Sequence, residues 1–113
     1  MHELSITENI LNLAMGEAQK HEAERIAVIR LKIGEMTQVD PSCVEFYLEV
    51  LAKGTIAEGV KLEADMVPLR AACRSCGREF GVREFAFACP TCGGADTEIV
   101  SGREMYIDSI EIE

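Results

Sequence analysis

Two Cys-x-x-Cys pairs, Cys73–Cys76 and Cys89–Cys92, carry the strongest chemical signal in the chain. A glycine follows each pair, and glycine permits the positive φ that turns backbone N–H groups toward the sulfurs. Four thiolates around one ion suit tetrahedral Zn²⁺, whose structural sites are closed and four-coordinate. The spacing therefore predicts a structural zinc site with four ligands: Cys73, Cys76, Cys89 and Cys92.

Other chemistries fit these cysteines less well. Two disulfides would leave Cys43 unpaired, and no secretory signal accompanies them. A thioredoxin-like redox site needs one Cys-x-x-Cys in a βαβ setting rather than two facing pairs. A catalytic zinc keeps an open position, which four cysteines do not leave. Iron stays open as an alternative, because the same four thiolates bind both metals.

The chain begins Met1-His2-Glu3, and these residues could form a second metal site. The large side chain at position 2 predicts that Met1 is retained. The α-amine, the His2 amide and imidazole, and the Glu3 carboxylate or amide could then converge on one ion. Nitrogen and oxygen donors in a planar array suit Ni²⁺ or Cu²⁺. A solvated, mobile terminus is the commoner state of such a stretch, so these residues alone leave the question open.

Composition limits the function further. Of the 113 residues 48% are hydrophobic and none is tryptophan, which indicates that a sizeable aliphatic core is possible. The formal net charge of −9 argues against binding to phosphate backbones. The N-terminus lacks the basic and apolar regions of a signal peptide. The sequence contains no run approaching the roughly 18 apolar residues that a membrane helix needs. We therefore expect a cytoplasmic protein that binds neither nucleic acid nor membrane.

Hydrophobic periodicity predicts two helices and three strands in the body of the protein. Ser5 and Glu8 have capping-box spacing, so the first helix should begin at Ile6 and bury a stripe that includes Leu13. Asp40 and Pro41 should begin the second helix, with Gly54 at its end. The predicted segments are helices over residues 6–20 and 41–54 and strands over residues 25–33, 60–67 and 103–113.

Three finer expectations concern packing. The alternation in the last strand changes phase near Asp108, which predicts a β-bulge. Cys43 should be a small buried apolar side chain in the second helix, whose buried stripe also includes Tyr47. Phe80, Phe85 and Phe87 should form the small core of the cysteine-rich segment.

The order of these elements predicts an α+β fold. A short three-stranded, mostly antiparallel sheet should be covered by two helices, with a zinc-ribbon module inserted between its second and third strands. The expected division is residues 1–69 plus 101–113 for the nickel-binding α+β domain and residues 70–100 for the zinc module.

Several stretches in combination make the whole chain similar to the HypA family of nickel metallochaperones. They are Met1-His2-Glu3-Leu4-Ser5, Gly34-Glu35-Met36-Thr37 with Val39 and Pro41, both Cys-x-x-Cys pairs, and Ile110-Glu111-Ile112-Glu113. The resemblance implies an N-terminal Ni²⁺ site, with His2 as key ligand and Met1 and Glu3 contributing, beside a structural zinc ribbon. Some relatives carry histidines next to the zinc cysteines; this chain has none there.

The resemblance also implies a carrier rather than an enzyme. Ni²⁺ would be delivered to the large-subunit precursor of [NiFe]-hydrogenase, with the GTPase HypB as partner and urease maturation factors as possible further clients. The expected oligomeric state is a monomer or a weak homodimer. The alternative function is a zinc-ribbon adaptor that binds protein without transferring nickel.

Overall fold

The computed structural model describes residues 2–113, which form two helices, six strands and one 3₁₀ turn. In chain order the elements are α1 (Glu3–Lys20), β1 (Ile26–Gly34), the 3₁₀ turn (Glu35–Thr37), α2 (Pro41–Leu51), β2 (Lys61–Val67), β3 (Arg70–Cys73), β4 (Glu79–Gly81), β5 (Thr97–Ser101) and β6 (Met105–Ile112). None of the described helices is long and apolar enough to cross a membrane. The predicted α+β fold is confirmed, and β3, β4 and β5 lie in sequence between two strands of the first sheet.

The first sheet has the strand order β2-β1-β6. β1 pairs with β6 antiparallel and with β2 parallel, so one of this sheet's two ladders is antiparallel. The parallel pairing arises because α2 lies between β1 and β2 in the chain and provides the crossover that parallel strands require. Within residues 2–113 three of the four ladders between strands are antiparallel.

The predicted bulge in β6 is present. Arg30 pairs with Ser109 and Leu31 pairs with Ile107, so Asp108 is the extra residue on β6. Because the bulge shifts the alternation by one residue, isoleucines on both sides of it pack against the same core.

An aliphatic core lies between this sheet and the two helices. Ile26, Ile29 and Ile33 of β1 are fully buried, and α2 contributes Val44 and Leu48. α1 contributes Ile10, Leu11, Ala14 and Ala18. Sequence periodicity was wrong about Leu13, which is 62% exposed. The opposite face of the sheet is polar and carries ion pairs such as Arg30–Glu63 and Lys32–Asp65.

The start of α1 and the end of α2 differ from the sequence prediction. α1 begins at Glu3 rather than Ile6, so Ser5 lies inside the helix and is not its cap. An acidic side chain in the first turn suits the positive end of the helix dipole, and the Glu3 carboxylate also accepts a tertiary hydrogen bond from Asp40, which together favour the earlier start. α2 ends at Leu51 with Ala52 as its C-cap, and Gly54, with φ +79°, lies in the turn beyond. Asp40 caps α2 as predicted, since its carboxylate accepts a hydrogen bond from the Ser42 N–H at 2.9 Å.

The second sheet has the order β4-β3-β5 and a smaller core. Its buried residues are Leu69, Ala71, Cys73, Phe80, Val82 and Cys89. Phe80 is buried and Phe87 is half-buried, as predicted, but Phe85 is 54% exposed and lies outside this core. Phe85 has a left-handed backbone in a surface turn, so its ring contacts that of Phe87, with centroids 6.5 Å apart, but does not reach the buried residues of this core.

The two sheets meet at a close contact between Gly34 and Gly102. A Cβ placed on Gly34 would lie 2.3 Å from the Gly102 carbonyl oxygen, so only glycine fits at position 34. The Met36 N–H donates to the same carbonyl at 2.8 Å, and the Met36 side chain packs against the second core. At Gly34 the two sheets are therefore in main-chain contact, with no room for a side chain at that position.

Candidate metal centres

The four cysteines of the two Cys-x-x-Cys pairs come together at one end of the second sheet. Their sulfur atoms all lie within 4.8 Å of one another. The Sγ atoms of Cys73 and Cys92 are 3.6 Å apart, as are those of Cys76 and Cys89. A tetrahedral ion with Zn–S bonds of about 2.3 Å requires sulfur separations of about 3.8 Å. The donor set and its spacing therefore fit Zn²⁺.

Two turns of the same design hold these sulfurs. In the first turn the Gly77 N–H donates to the Cys73 carbonyl at 2.8 Å, and in the second the Gly93 N–H donates to the Cys89 carbonyl at 2.8 Å. Gly77 and Gly93 have φ values of +77° and +74°, as the sequence predicted. The repeated geometry presents one buried and one exposed cysteine from each turn.

Main-chain N–H groups in these turns favour thiolates. Those of Cys92 and Thr91 hold the pKa of Cys89 down at about 6, and those of Cys76 and Ser75 lower the pKa of Cys73. The Gly94 N–H also lowers the pKa of Cys92, but the neighbouring sulfurs of Cys73 and Cys89 outweigh it and raise that pKa to about 11. Four thiolates this close repel one another unless a cation lies among them, so the cluster is built to hold one.

The start of α1 has a different character. His2 is exposed, with a left-handed backbone at φ 53° and ψ 30°, and it caps the helix through its carbonyl, which accepts from the Ile6 N–H at 3.0 Å. The predicted ligand Met1 lies outside the described residues. In residues 2–113 the four cysteines are the one group of three or more metal-binding side chains close enough to share an ion. His2 and Glu3 are therefore not enclosed in a preformed cage of described side chains.

The structure places the N-termini of the two helices side by side, which the sequence did not indicate. The Asp40 N–H donates to the Glu3 carboxylate at 3.3 Å, although 37 residues separate them. The Cys43 Sγ atom lies 3.7 Å from the Oδ2 atom of the Asp40 carboxylate. Cys43 is half-buried rather than buried, and this partial burial, with the Asp40 charge, raises its pKa. No pattern in the sequence connects residue 3 with residue 40, because the contact depends on how two helices pack.

The two histidines of the chain lie at opposite ends of α1. His21 is the C-cap of α1, where its Nε2 lies 3.7 Å from a Glu17 carboxylate oxygen, while His2 is at the opposite end. Glu35 accepts a hydrogen bond from the Leu69 N–H at 3.4 Å and so connects the 3₁₀ turn to the second sheet. These contacts give His21 and Glu35 structural surroundings away from the cysteine cluster.

Comparison with known proteins finds relatives that match along the whole chain. The model of the HypA family, described as hydrogenase/urease nickel incorporation, metallochaperone, matches residues 1–112. The hydrogenase maturation factor HypA of Geobacter sulfurreducens is 40% identical over 113 residues, covering all of both chains. That of Caldanaerobacter subterraneus subsp. tengcongensis is 38% identical over 114 residues, again covering all of both chains.

Solved structures share the fold. The solution structure of the Ni metallochaperone HypA from Helicobacter pylori superposes with a TM-score of 0.69 at 24% identity, covering 99% of this chain and 97% of that one. Another solution structure of a HypA protein gives a TM-score of 0.75 at 23% identity, covering 100% and 97%. The match along the whole chain, together with the four-cysteine cluster, shows that this protein belongs to the HypA family of hydrogenase/urease nickel-incorporation metallochaperones.

Proposed function

We propose that this protein binds Ni²⁺ at its N-terminus and delivers it to the large-subunit precursor of a [NiFe]-hydrogenase. The observation that carries the proposal is the exposed start of α1, where His2 and Glu3 lie beside the capped N-terminus of α2. The first four N–H groups of a helix have no intrahelical acceptor. The His2 amide is therefore available to a metal even though the helix begins earlier than the sequence predicted.

Charge explains why such a site can release its cargo. The N-terminal end of a helix is electropositive and disfavours a cation. The Glu3 and Asp40 carboxylates, the His2 imidazole and loss of the amide proton would favour Ni²⁺ and offset this unfavourable charge of the helix end. A few-ligand, exposed site allows the metal to leave ligand by ligand. The proposed ligands are His2, Met1 and Glu3.

The cysteine cluster has the complementary role in this proposal. Cys73, Cys76, Cys89 and Cys92 would hold Zn²⁺ permanently, because four thiolates complete its tetrahedral shell and leave no open position. The zinc would stabilise a module of residues 70–100, and residues 1–69 plus 101–113 would form the nickel-binding domain. The protein would act as a carrier without catalysing a reaction.

Partners follow from this role. We expect the GTPase HypB to bind the nickel-loaded protein in the cytoplasm, with urease maturation factors as further clients, and the protein itself to be a monomer or a weak homodimer. The family's description, which includes both hydrogenase and urease, supports this set of clients.

Nickel titration of untagged, zinc-loaded protein tests the site. His2→Ala should weaken Ni²⁺ binding by more than the 10–100-fold that outer-shell partners of a metal typically contribute, measured by equilibrium dialysis against a competing chelator. His21→Ala is the matched control, because it removes the other histidine from the far end of the same helix and should leave affinity unchanged. Affinity should also fall as pH is lowered, since the ligands must lose protons to bind.

An N-terminal extension provides the second arm of the test. Joining one residue to Met1 converts its amine to an amide and should reduce Ni²⁺ affinity as much as His2→Ala does. Unchanged affinity in the extended protein would exclude the amine as a ligand. Unchanged affinity in His2→Ala would leave the zinc-ribbon adaptor as the better description.

A further inference from the structure

An apolar groove runs between α1 and the edge strand β6. Two adjoining cavities of 240 and 460 Å³ share four lining residues, which are Leu13, Met105, Tyr106 and Ile107. Leu13 is 62% exposed and Tyr106 is 50% exposed. Leu13 continues the apolar stripe of α1 beyond the core, and the described residues leave its side chain largely uncovered.

β6 presents a free edge beside this groove. In residues 2–113 it pairs with β1 alone and forms one end of the strand order β2-β1-β6. The outer N–H and C=O groups of an edge strand can accept an added strand from another chain. The bulge at Asp108 limits the regular run next to Leu13 to Met105–Ile107, so backbone pairing alone would be weak and side-chain contacts must add to it.

The charges around the groove indicate which kind of chain fits. Asp108 and Glu17 line the larger cavity. Glu17 already lies 3.5 Å from Lys20 on its own helix, whereas Asp108 attracts Lys32 but makes no ion pair within 4 Å among the described residues. The whole chain carries a net charge of −9. A second copy pairing edge to edge would place its own acidic β6 against this one, and like charges on neighbouring strands are destabilising. A basic segment would instead neutralise the rim.

We infer that the groove between α1 and β6 binds an extended segment of a partner protein that alternates apolar residues with lysine or arginine. The segment adds to the β6 edge along Met105–Ile107. Its apolar side chains lie on the helix-covered face of the sheet, against Leu13 and Ile107, and its cationic side chains lie on the opposite face, near Asp108. This docking surface does not depend on the nickel proposal, because it contains none of the proposed metal ligands.

A synthetic peptide tests the inference directly. The probe is a capped seven-residue peptide that alternates valine with lysine, titrated into ¹⁵N-labelled, zinc-loaded full-length protein. Amide resonances of residues 105–107 and 13 should shift, and the outward-facing β6 amides should exchange more slowly with solvent. Affinity should fall as salt is raised, because the rim contacts are exposed charges.

Variants locate the binding surface. Leu13→Gln should weaken peptide binding by about fivefold or more, the loss typical of an important interface contact. It should remain folded, because Leu13 is largely exposed. Asp108→Lys should weaken binding and reduce its salt dependence. Met66→Gln is the matched control, since Met66 is 45% exposed on β2 at the opposite edge of the same sheet, and it should bind the peptide normally.

Four results would overturn the inference. These are no shift at residues 105–107, equal shifts along β2, equal binding of a peptide that alternates valine with glutamate, and self-association of the unliganded protein through β6 in sedimentation experiments. The last result would assign the groove to a second copy of this chain.

Discussion

The two sheets of the protein are stabilised in different ways. The β2-β1-β6 sheet is covered by two helices over a continuous aliphatic core, with Ile26, Ile29 and Ile33 at full burial. The β4-β3-β5 sheet has six buried core residues, and two of them, Cys73 and Cys89, are themselves proposed metal ligands. One region can therefore exclude water with hydrocarbon alone, while the other has little core apart from its metal site.

The same contrast applies to the two proposed metal sites. The cysteine cluster is assembled by main-chain turns of repeated geometry, and its sulfurs lie at nearly the separation that a bound ion needs. The N-terminal site lies at the junction of two helix ends and has no closed cage of described side chains. A closed site suits a metal that stays, and an open site suits one that is handed on.

The largest effect should follow from breaking the cysteine cluster. Cys89→Ser should abolish stoichiometric zinc and unfold the second sheet, because metal binding to such a site supplies on the order of 10 kcal/mol in zinc-finger peptides. The first sheet should stay folded on its own core. Metal analysis and NMR of the variant check both statements.

Cys43→Ala provides the matched control for that variant. Cys43 lies on α2, away from the cluster, so its replacement should keep zinc and lower stability by on the order of 1 kcal/mol. Loss of zinc in Cys43→Ala, or retention of zinc in Cys89→Ser, would contradict the assignment of ligands.

The next largest effect should come from the joint between the regions. Gly34→Ala places a Cβ 2.3 Å from the Gly102 carbonyl oxygen and should destabilise the protein by about 3 kcal/mol through overpacking. Gly16→Ala is the control, because nothing lies within 4 Å of a Cβ there and alanine favours the helix. Denaturant unfolding should show the two variants moving in opposite directions; a tolerated Gly34→Ala would mean that the regions can separate.

A smaller effect should appear at the start of α2. Asp40→Ala removes the helix cap and should cost about 1 kcal/mol of stability, measured by denaturant unfolding. Zinc content should not change, because Asp40 belongs to the first region. Asp40→Asn is the informative comparison, since asparagine can still cap the helix but lacks the charge. Zinc loss in either variant would show that the two regions are less independent than their cores indicate.

Sequence patterns were most successful where a feature depends on local spacing. The Cys-x-x-Cys turns, the Asp40 cap of α2 and the bulge at Asp108 each follow from residues close together in the chain. They were least successful where distant contacts decide. The earlier start of α1 reflects the Glu3–Asp40 hydrogen bond, and the exposure of Leu13 reflects the absence of a strand beyond β6 in the described chain.

The parallel pairing of β1 with β2 belongs to the same group of misses. Alternation identifies a strand and its buried face but not the direction of its neighbour. The three-stranded sheet beside the cysteines was missed for a further reason, since β4 spans only Glu79–Gly81 and such a short strand has no visible period. The contacts that join the metal sites to their scaffold thus required the structure.

The smallest effect should arise on the polar face of the first sheet, and its sign follows from the ion pair there. Arg30 donates to the Glu63 carboxylate at 2.9 Å and lowers the pKa of Glu63 below its usual value. A carboxyl whose pKa is lowered by folding adds stability above its unfolded pKa of about 4.3 and loses it as pH falls through the folded value. The difference in stability between the unmodified protein and Glu63→Gln should therefore shrink as pH is lowered below about 4.

Glu49→Gln serves as the control for this pH dependence, because Glu49 is exposed on α2 and forms no ion pair among the described residues. Its stability difference from the unmodified protein should vary less with pH over the same range. Both carboxylates are exposed to screening by solvent, so the effect should also weaken in high salt. A Glu63→Gln protein whose stability followed that of the unmodified protein at every pH would show that the first region is held by its aliphatic core alone, and the contrast with the metal-dependent second region would become sharper.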